Sequence, residues 1–189
     1  MKILGLDSSG LVASVAIVED NDLKGEYTVN YKKTHSQTLL PMLDEVAKMI
    51  ELDLNSINAI AVSGGPGSFT GLRIGSATAK GLGLALGKPL IHIPTVDALA
   101  YNLVGSRDMV CPLMDARRNQ VYTGVYCYTD HRLDTVWEQD TMSIEALAEG
   151  LNCLDHEVIF LGDGVAVYRE KLEALLTIPF SFAPAHVNR

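Results

Sequence analysis

Residues 64–73 read Gly64-Gly65-Pro66-Gly67-Ser68-Phe69-Thr70-Gly71-Leu72-Arg73. Before them, Ile57 to Ser63 is a short uncharged run, the pattern of a buried strand. After them, from about Thr70 to Leu86, nearly every residue is small or apolar, with Arg73 and Lys80 as the only charges. That length predicts a helix, so the glycine-rich stretch is a turn from strand to helix. The first amides of a helix have no internal partner and sit at the positive end of its dipole, so they can hold an anion. Gly64, Gly65, Gly67, Ser68 and Thr70 are therefore a candidate anion or nucleotide loop, and a tight structural turn is the competing reading. A Walker loop would need Gly-Lys followed by Ser or Thr, which is absent. A dinucleotide fingerprint would place a third glycine where Thr70 stands, with an acid about 20 residues on. A nucleophile elbow needs one residue between glycine and serine, but Ser68 follows Gly67 directly.

Strand–turn–helix units continue on both sides. Toward the N-terminus, Ile3 to Leu6 reads as a strand ending in Asp7-Ser8-Ser9-Gly10. Asp7 and Ser8 could present a carboxylate and a hydroxyl at the strand end, although an acid there is often a plain turn former. Ala13 to Val18 and Glu26 to Tyr31 complete a meander, with Glu19-Asp20-Asn21-Asp22 as a turn. A helix is predicted from about Thr38 to Glu51, with Ser36 and Thr38 as available caps and Pro41 in its first turn. Leu39, Leu43, Val46 and Ile50 fall on one stripe of it. Leu40 and Ala47 widen the stripe on one side, and Met42 and Met49 on the other. The resulting arc is broader than one flat contact needs.

Toward the C-terminus, Pro89 to Pro94 reads as an edge strand, and Thr95 opens a short helix. A lobe boundary falls near there, giving lobes 1–100 and 101–189. In the second lobe, strands are expected at Val110 to Met114, Gln120 to Tyr128, Thr135 to Glu138 and Val158 to Leu161. Ser143 begins a helix, and Gly162-Asp163-Gly164 turns into another that ends near Leu176. The two lobes open similarly, but no simple sequence repeat is visible.

Apolar residues make up 48% and charged residues 20%, a globular composition without an apolar run long enough for a membrane helix. Asp7 interrupts the apolar start where a signal peptide would continue, so a cytoplasmic protein is expected. Cys111, Cys127 and Cys153 are too few and too scattered for a disulfide framework or a thiolate metal site, and read as small buried or half-buried residues. A helical zinc pair would need a second histidine four residues after His35, where Leu39 stands. His92, His131, His156 and His186 have no paired spacing. The net charge of −8 argues against this chain gripping nucleic acid alone. Its only local basic groups, Lys32-Lys33 and Arg117-Arg118, read as solvated surface.

Five segments together resemble the TsaB (YeaZ) family. They are Ile3 to Ser9, His35-Ser36-Gln37-Thr38-Leu39-Leu40-Pro41-Met42, Gly65 to Gly75, Asp115-Ala116-Arg117 with Val121-Tyr122, and Gly162-Asp163-Gly164. The run from Gly65 to Gly75 is the specific one, and the others occur in the family's order. The resemblance implies an α/β, actin/Hsp70-like two-lobe fold with mixed sheets flanked by helices. It also implies a non-catalytic paralogue of TsaD, the subunit that transfers a threonylcarbamoyl group to an adenosine of tRNA. TsaD-like enzymes hold a metal with an HxxxH pair, and this chain lacks one. The implied partners are TsaD and TsaE, with a homodimer when the chain is alone and tRNA reached only through the complex. No cofactor is expected on this chain alone beyond weak nucleotide binding. Family members usually continue for some tens of residues past Arg189, which leaves open an incomplete second lobe.

The residue patterns and the resemblance meet at the two N-terminal helices. Their apolar surface exceeds what a small lobe covers, which implies a partner. The expected interface is Leu39, Leu40, Leu43, Val46, Ala47, Ile50, Arg73, Ile74, Ala77, Gly81 and Leu82, in a four-helix arrangement with a homologous lobe. The competing classes are a free-standing actin-like ATP-binding enzyme and a glycoprotein metallopeptidase.

Overall fold

The computed structural model describes residues 1–30, 35–130 and 132–188, and side-chain placement at His35 and Ser36 lies outside that description. Expectations that fall on Tyr31, Lys32, Lys33, His131 and the Ser36 cap lie outside the described residues. The chain divides into two units at Thr95/Val96, five residues before the expected boundary at 100. The reason is packing. The helix α3 (Thr95–Ala100) buries Val96 and Ala100 in a cluster with Val110, Met114, Tyr126 and Leu161 of the second unit.

The first unit contains β1 (Lys2–Asp7), β2 (Ala13–Glu19), β3 (Asp22–Val29), α1 (His35–Met49), β4 (Ala59–Ser63), α2 (Phe69–Leu86) and β5 (Leu90–Ile93). The sheet order is β3-β2-β1-β4-β5. The hairpin pairs β1–β2 and β2–β3 are antiparallel, and the crossover pairs β1–β4 and β4–β5 are parallel. Leu4, Leu6, Val15, Ile17, Ile60 and Val62 form one core with Leu39, Met42, Leu43 and Val46 of α1. β5 is an edge strand, as its flanking prolines predict.

Two boundaries differ from expectation. β3 begins at Asp22 rather than Glu26, because Asp20 and Asn21 alone make the turn, at φ 49° and 70°. A two-residue turn with both central residues left-handed matches the twist of the strands it joins, and Asp and Asn tolerate that conformation. α1 begins at His35 rather than Thr38, so Pro41 lies inside the helix instead of in its first turn. The helix thereby forgoes one backbone bond.

The second unit continues from α3 with β6 (Met109–Arg117), β7 (Gln120–Thr129), β8 (Arg132–Ser143), α4 (Ile144–Asn152), β9 (Val158–Leu161), α5 (Gly164–Leu175) and β10 (Phe180–Phe182). Its sheet order, β10-β9-β6-β7-β8, read from the other edge repeats that of the first unit. The pairings also correspond: β6–β7 and β7–β8 are antiparallel, and β6–β9 and β9–β10 parallel. Cys111, Leu113, Val121, Val125 and Phe160 pack with α4 and α5. Strand neighbours of opposite parity pack with α3. β8 is longer than the expected Thr135–Glu138, and β10 was not expected. Cys111 is buried, and burial pushes its thiol up to about 12, whereas Cys153 is exposed rather than buried. Both units are α/β, with a mixed sheet flanked by helices.

Candidate functional site

The Asp7 turn and the Gly64–Ser68 turn come together at the end of the first sheet. Ser68 N donates to the Ser9 carbonyl at 2.6 Å. A Cβ on Gly67, at φ +152°, would lie 2.4 Å from that same oxygen, so only glycine fits. The buried Ser8 hydroxyl donates to the Gly71 carbonyl at 2.8 Å. Asp7 Oδ1 accepts the Ser9 amide and the Ser9 hydroxyl, both at 2.7 Å. A Cβ on Gly64 would meet the His92 ring at 1.9 Å. Gly65 N donates to Thr95 Oγ1 at 3.2 Å, and Ser68 Oγ caps α2 by accepting Gly71 N at 3.2 Å. The amides of Gly65, Ser68 and Gly71 thus serve the protein's own acceptors. Thr70 is exposed in the first turn of α2. These internal bonds fit the tight structural turn, the reading that competes with an anion loop.

That turn fixes how α2 lies on the sheet. Its buried residues are Gly71, Gly75, Ala79 and Gly83, one every four positions. A Cβ on Gly75 would come within 2.6 Å of Ser8 Oγ, and one on Gly83 within 2.9 Å of Leu90. Small residues let the helix backbone approach the sheet closely, and the larger side chains are turned elsewhere. Phe69 is 69% exposed and Leu84 86% exposed. Arg73, Ala77, Lys80 and Gly81 are exposed on the same arc. The Arg73 guanidinium stacks 3.7 Å above the Phe69 ring, which braces both side chains. Phe69, Leu72, Arg73, Ser76, Ala77 and Lys80 line a shallow depression.

The expected interface residues therefore separate. Leu39, Leu43 and Val46 are buried core and cannot meet a partner, because the apolar stripe of α1 is used on its own sheet. Ile50, Ile74 and Leu82 are partly buried against that core. Ala47 is half-buried, and Leu40 is 52% exposed. Arg73, Ala77 and Gly81 remain on the outward arc of α2, and a Cβ on Gly81 would meet nothing within 4 Å. Phe69 and Leu84, which the sequence reading did not include, are exposed on the same arc. The signal that would have found them is the four-residue spacing of Gly71, Gly75, Ala79 and Gly83, which marks the opposite face as the inner one.

In the second unit the turn after β9 packs against the end of β6. Asp115 N donates to Asp163 Oδ1 at 3.1 Å, and Tyr168 OH donates to Asp115 Oδ1 at 3.1 Å. Burial pushes the Asp163 carboxyl above the usual carboxylate range, with Asp115 adding to the effect and backbone amides opposing it. Among the described residues no group of three or more His, Cys, Asp or Glu is arranged to hold a metal ion. No helix among them is long and apolar enough to cross a membrane.

A pair of α/β units, each with this mixed sheet and flanking helices, defines the actin/Hsp70-like class. A family model described as "TsaD: tRNA N6-adenosine threonylcarbamoyltransferase" matches residues 25–187. The chain is 31% identical over 176 residues to the tRNA threonylcarbamoyladenosine biosynthesis protein TsaB of Bacillus subtilis, covering 93% of this chain and 77% of that one. Against the Haemophilus influenzae protein of the same description, identity is 32%, with 94% and 78% covered. The solved structure of YeaZ from Pseudomonas aeruginosa superposes with a TM-score of 0.81 at 26% identity, covering 97% of this chain and 84% of that one. Ethanolamine utilization protein EutJ from Carboxydothermus hydrogenoformans, at 12% identity and a TM-score of 0.55, shares the fold. The chain belongs to the TsaB (YeaZ) family.

Proposed function

We propose that this chain is a non-catalytic, cytoplasmic partner subunit in the biosynthesis of threonylcarbamoyladenosine on tRNA, binding and supporting TsaD together with TsaE. The observation that carries the reading is the outward face of α2. Phe69, Ala77, Gly81 and Leu84 form an apolar stripe facing solvent, with Arg73 and Lys80 beside it. A helix that turns glycine inward and Phe and Leu outward is built for a second contact. TsaD offers a homologous lobe to that stripe, and a second copy of the chain takes its place when TsaD is absent. The non-catalytic part of the reading is supported by Leu39, which stands where a TsaD-like metal pair would need its second histidine. It is also supported by the Asp7 and Gly64–Ser68 turns, whose amides serve internal acceptors.

The test is threonylcarbamoyladenosine formation on an unmodified tRNA by TsaD and TsaE, with and without this chain. Product should require the chain, persist with Asp7→Ala, and be lost with the Phe69→Asp/Leu84→Asp double variant. Equal product without the chain overturns the reading. So does ATP turnover by the chain alone that disappears with Asp7→Ala, which is the behaviour of a free-standing actin-like enzyme.

A further inference from the structure

The hairpin that joins β6 to β7 holds two arginines in a conformation that suits them poorly. Arg117, Arg118 and Asn119 stand at φ 65°, 52° and 63°, three left-handed residues in a row. The hairpin joining β2 to β3 reaches the same region with Asp20 and Asn21. Short polar residues of this kind tolerate that region, whereas arginine does so less readily. A conformation of this kind persists only where its surroundings impose it, and it marks a place where function is sought.

The surroundings here are specific. Asp115 Oδ1 accepts Arg117 N at 2.8 Å, and Tyr168 of α5 donates to that carboxylate and, at 3.3 Å, to the Gln120 carbonyl. Asn119 Nδ2 donates to Glu145 Oε2 of α4 at 2.6 Å. Lys171 Nζ bonds Asn119 Oδ1 and pairs with Glu145 at 3.2 Å. The neighbouring lysine is thus neutralised within the clamp. Arg117 and Arg118 are exposed, and neither has an ion-pair partner among the described residues. The result is two uncommitted guanidinium groups on a braced turn, in a chain whose net charge is −8.

We propose that Arg117 and Arg118 form a fixed cationic tip that contacts backbone phosphate of the tRNA in the assembled complex, an assignment that rests on the partner-subunit reading. Arginine forks match phosphate oxygens through paired N–H groups, which a lysine cannot reproduce. A phosphate contact needs only the forks, whereas a protein partner would want an apolar centre that Arg117, Arg118 and Asn119 do not supply. The overall negative charge keeps the chain from holding RNA by itself, so the tip adds to binding supplied by another subunit.

The test is fluorescence anisotropy with an unmodified tRNA transcript titrated into the complex of this chain with TsaD, across a salt series. The variant is Arg117→Asn/Arg118→Gly, whose residues suit the left-handed turn and remove both charges. The affinity should fall roughly tenfold at 0.1 M salt, and the log–log salt slope should become shallower by about 1 to 2. The variant should melt no lower than the wild type, which separates loss of charge from loss of fold. An intact complex with unchanged affinity and slope overturns the assignment. So does a variant that loses TsaD but keeps the tRNA affinity of whatever complex remains, which would make the tip a protein contact. If the wild-type chain forms no complex with TsaD, as read by light scattering without RNA, the partner-subunit reading fails and takes this one with it.

Discussion

α2 and α5 occupy corresponding places in two units of the same sheet order, and they are built the opposite way round. α5 turns Val165, Tyr168 and Leu172 inward and shows Arg169, Glu170 and Glu173 to solvent. That is an ordinary amphipathic surface helix. α2 turns Gly71, Gly75, Ala79 and Gly83 inward and shows Phe69 and Leu84. One strand order therefore accommodates a helix held by large side chains and a helix held by close backbone approach. The second leaves its bulkiest apolar groups, Phe69 and Leu84, 69% and 86% exposed, against 58% and 38% for Val167 and Leu175 on α5. On the proposed function the two helices have different jobs: α5 closes a core, and α2 closes one side of a core while keeping a face for a partner.

The strongest way to break this contrast is to charge the outward faces. Phe69→Asp/Leu84→Asp should weaken association with TsaD by about 4 kcal/mol, roughly a thousandfold, as read by light scattering with an unchanged circular dichroism spectrum. Val167→Asp, at an exposed site on α5, should leave association unchanged. The next largest effect concerns the inward face. Gly75→Ala forces a Cβ against Ser8 Oγ and disturbs the Ser8–Gly71 bond, so it should destabilise the first unit by about 2 kcal/mol in urea unfolding. Gly81→Ala, on the outward arc of the same helix, should instead stabilise the isolated chain by about 0.5–1 kcal/mol through helix propensity alone. Opposite signs for two Gly→Ala changes within one helix are the sharpest check of its orientation.

The smallest expected effect lies in the second unit. The Asp163 carboxyl is raised in the folded state, so folding favours its protonated form. As the pH rises above about 4, the unfolded chain loses this proton more readily than the folded chain, and stability falls. The contribution is lost progressively up to the raised value and stays lost above it. Asp163→Asn should therefore gain stability relative to wild type with rising pH, measured as the difference between two thermal-melting series. A difference that is flat between pH 4 and 8 would contradict the assignment.

Much of this architecture was legible in the amino-acid order, and the exceptions have physical causes. The bounds of α2 came out within one residue, because Ser68 and Gly87 are local start and stop signals that tertiary structure did not override. Its orientation did not come out, because a helix with small or apolar residues on nearly every side gives hydrophobic periodicity nothing to point at. α1 misled in the other direction. Its wide arc was read as surplus, and Leu40 and Met49 at its margins are exposed, but the central Leu39, Leu43 and Val46 pack with Leu4, Leu6, Val15 and Ile17. β10 escaped because three residues carry no period. It is held by parallel pairing to β9 and by the cluster of Phe160, Phe180 and Phe182, with ring centroids 5.7 to 6.3 Å apart. The correspondence of the two units was hidden for a similar reason, since what repeats is the strand order and not the residues. Within the candidate site, the Asp7 and Gly64–Ser68 turns could each be found in the sequence. Their mutual packing, which directs the loop amides inward, depends on the parallel register of β1 and β4.

The contrast between the two helices is tested most directly by amide hydrogen exchange of the chain alone at low concentration and in complex with TsaD. Peptides covering residues 69–86 should slow markedly on complex formation, while those covering residues 164–175 stay the same. Equal protection of both helices, or protection of 164–175 alone, would contradict the assignment of α2 as the partner face.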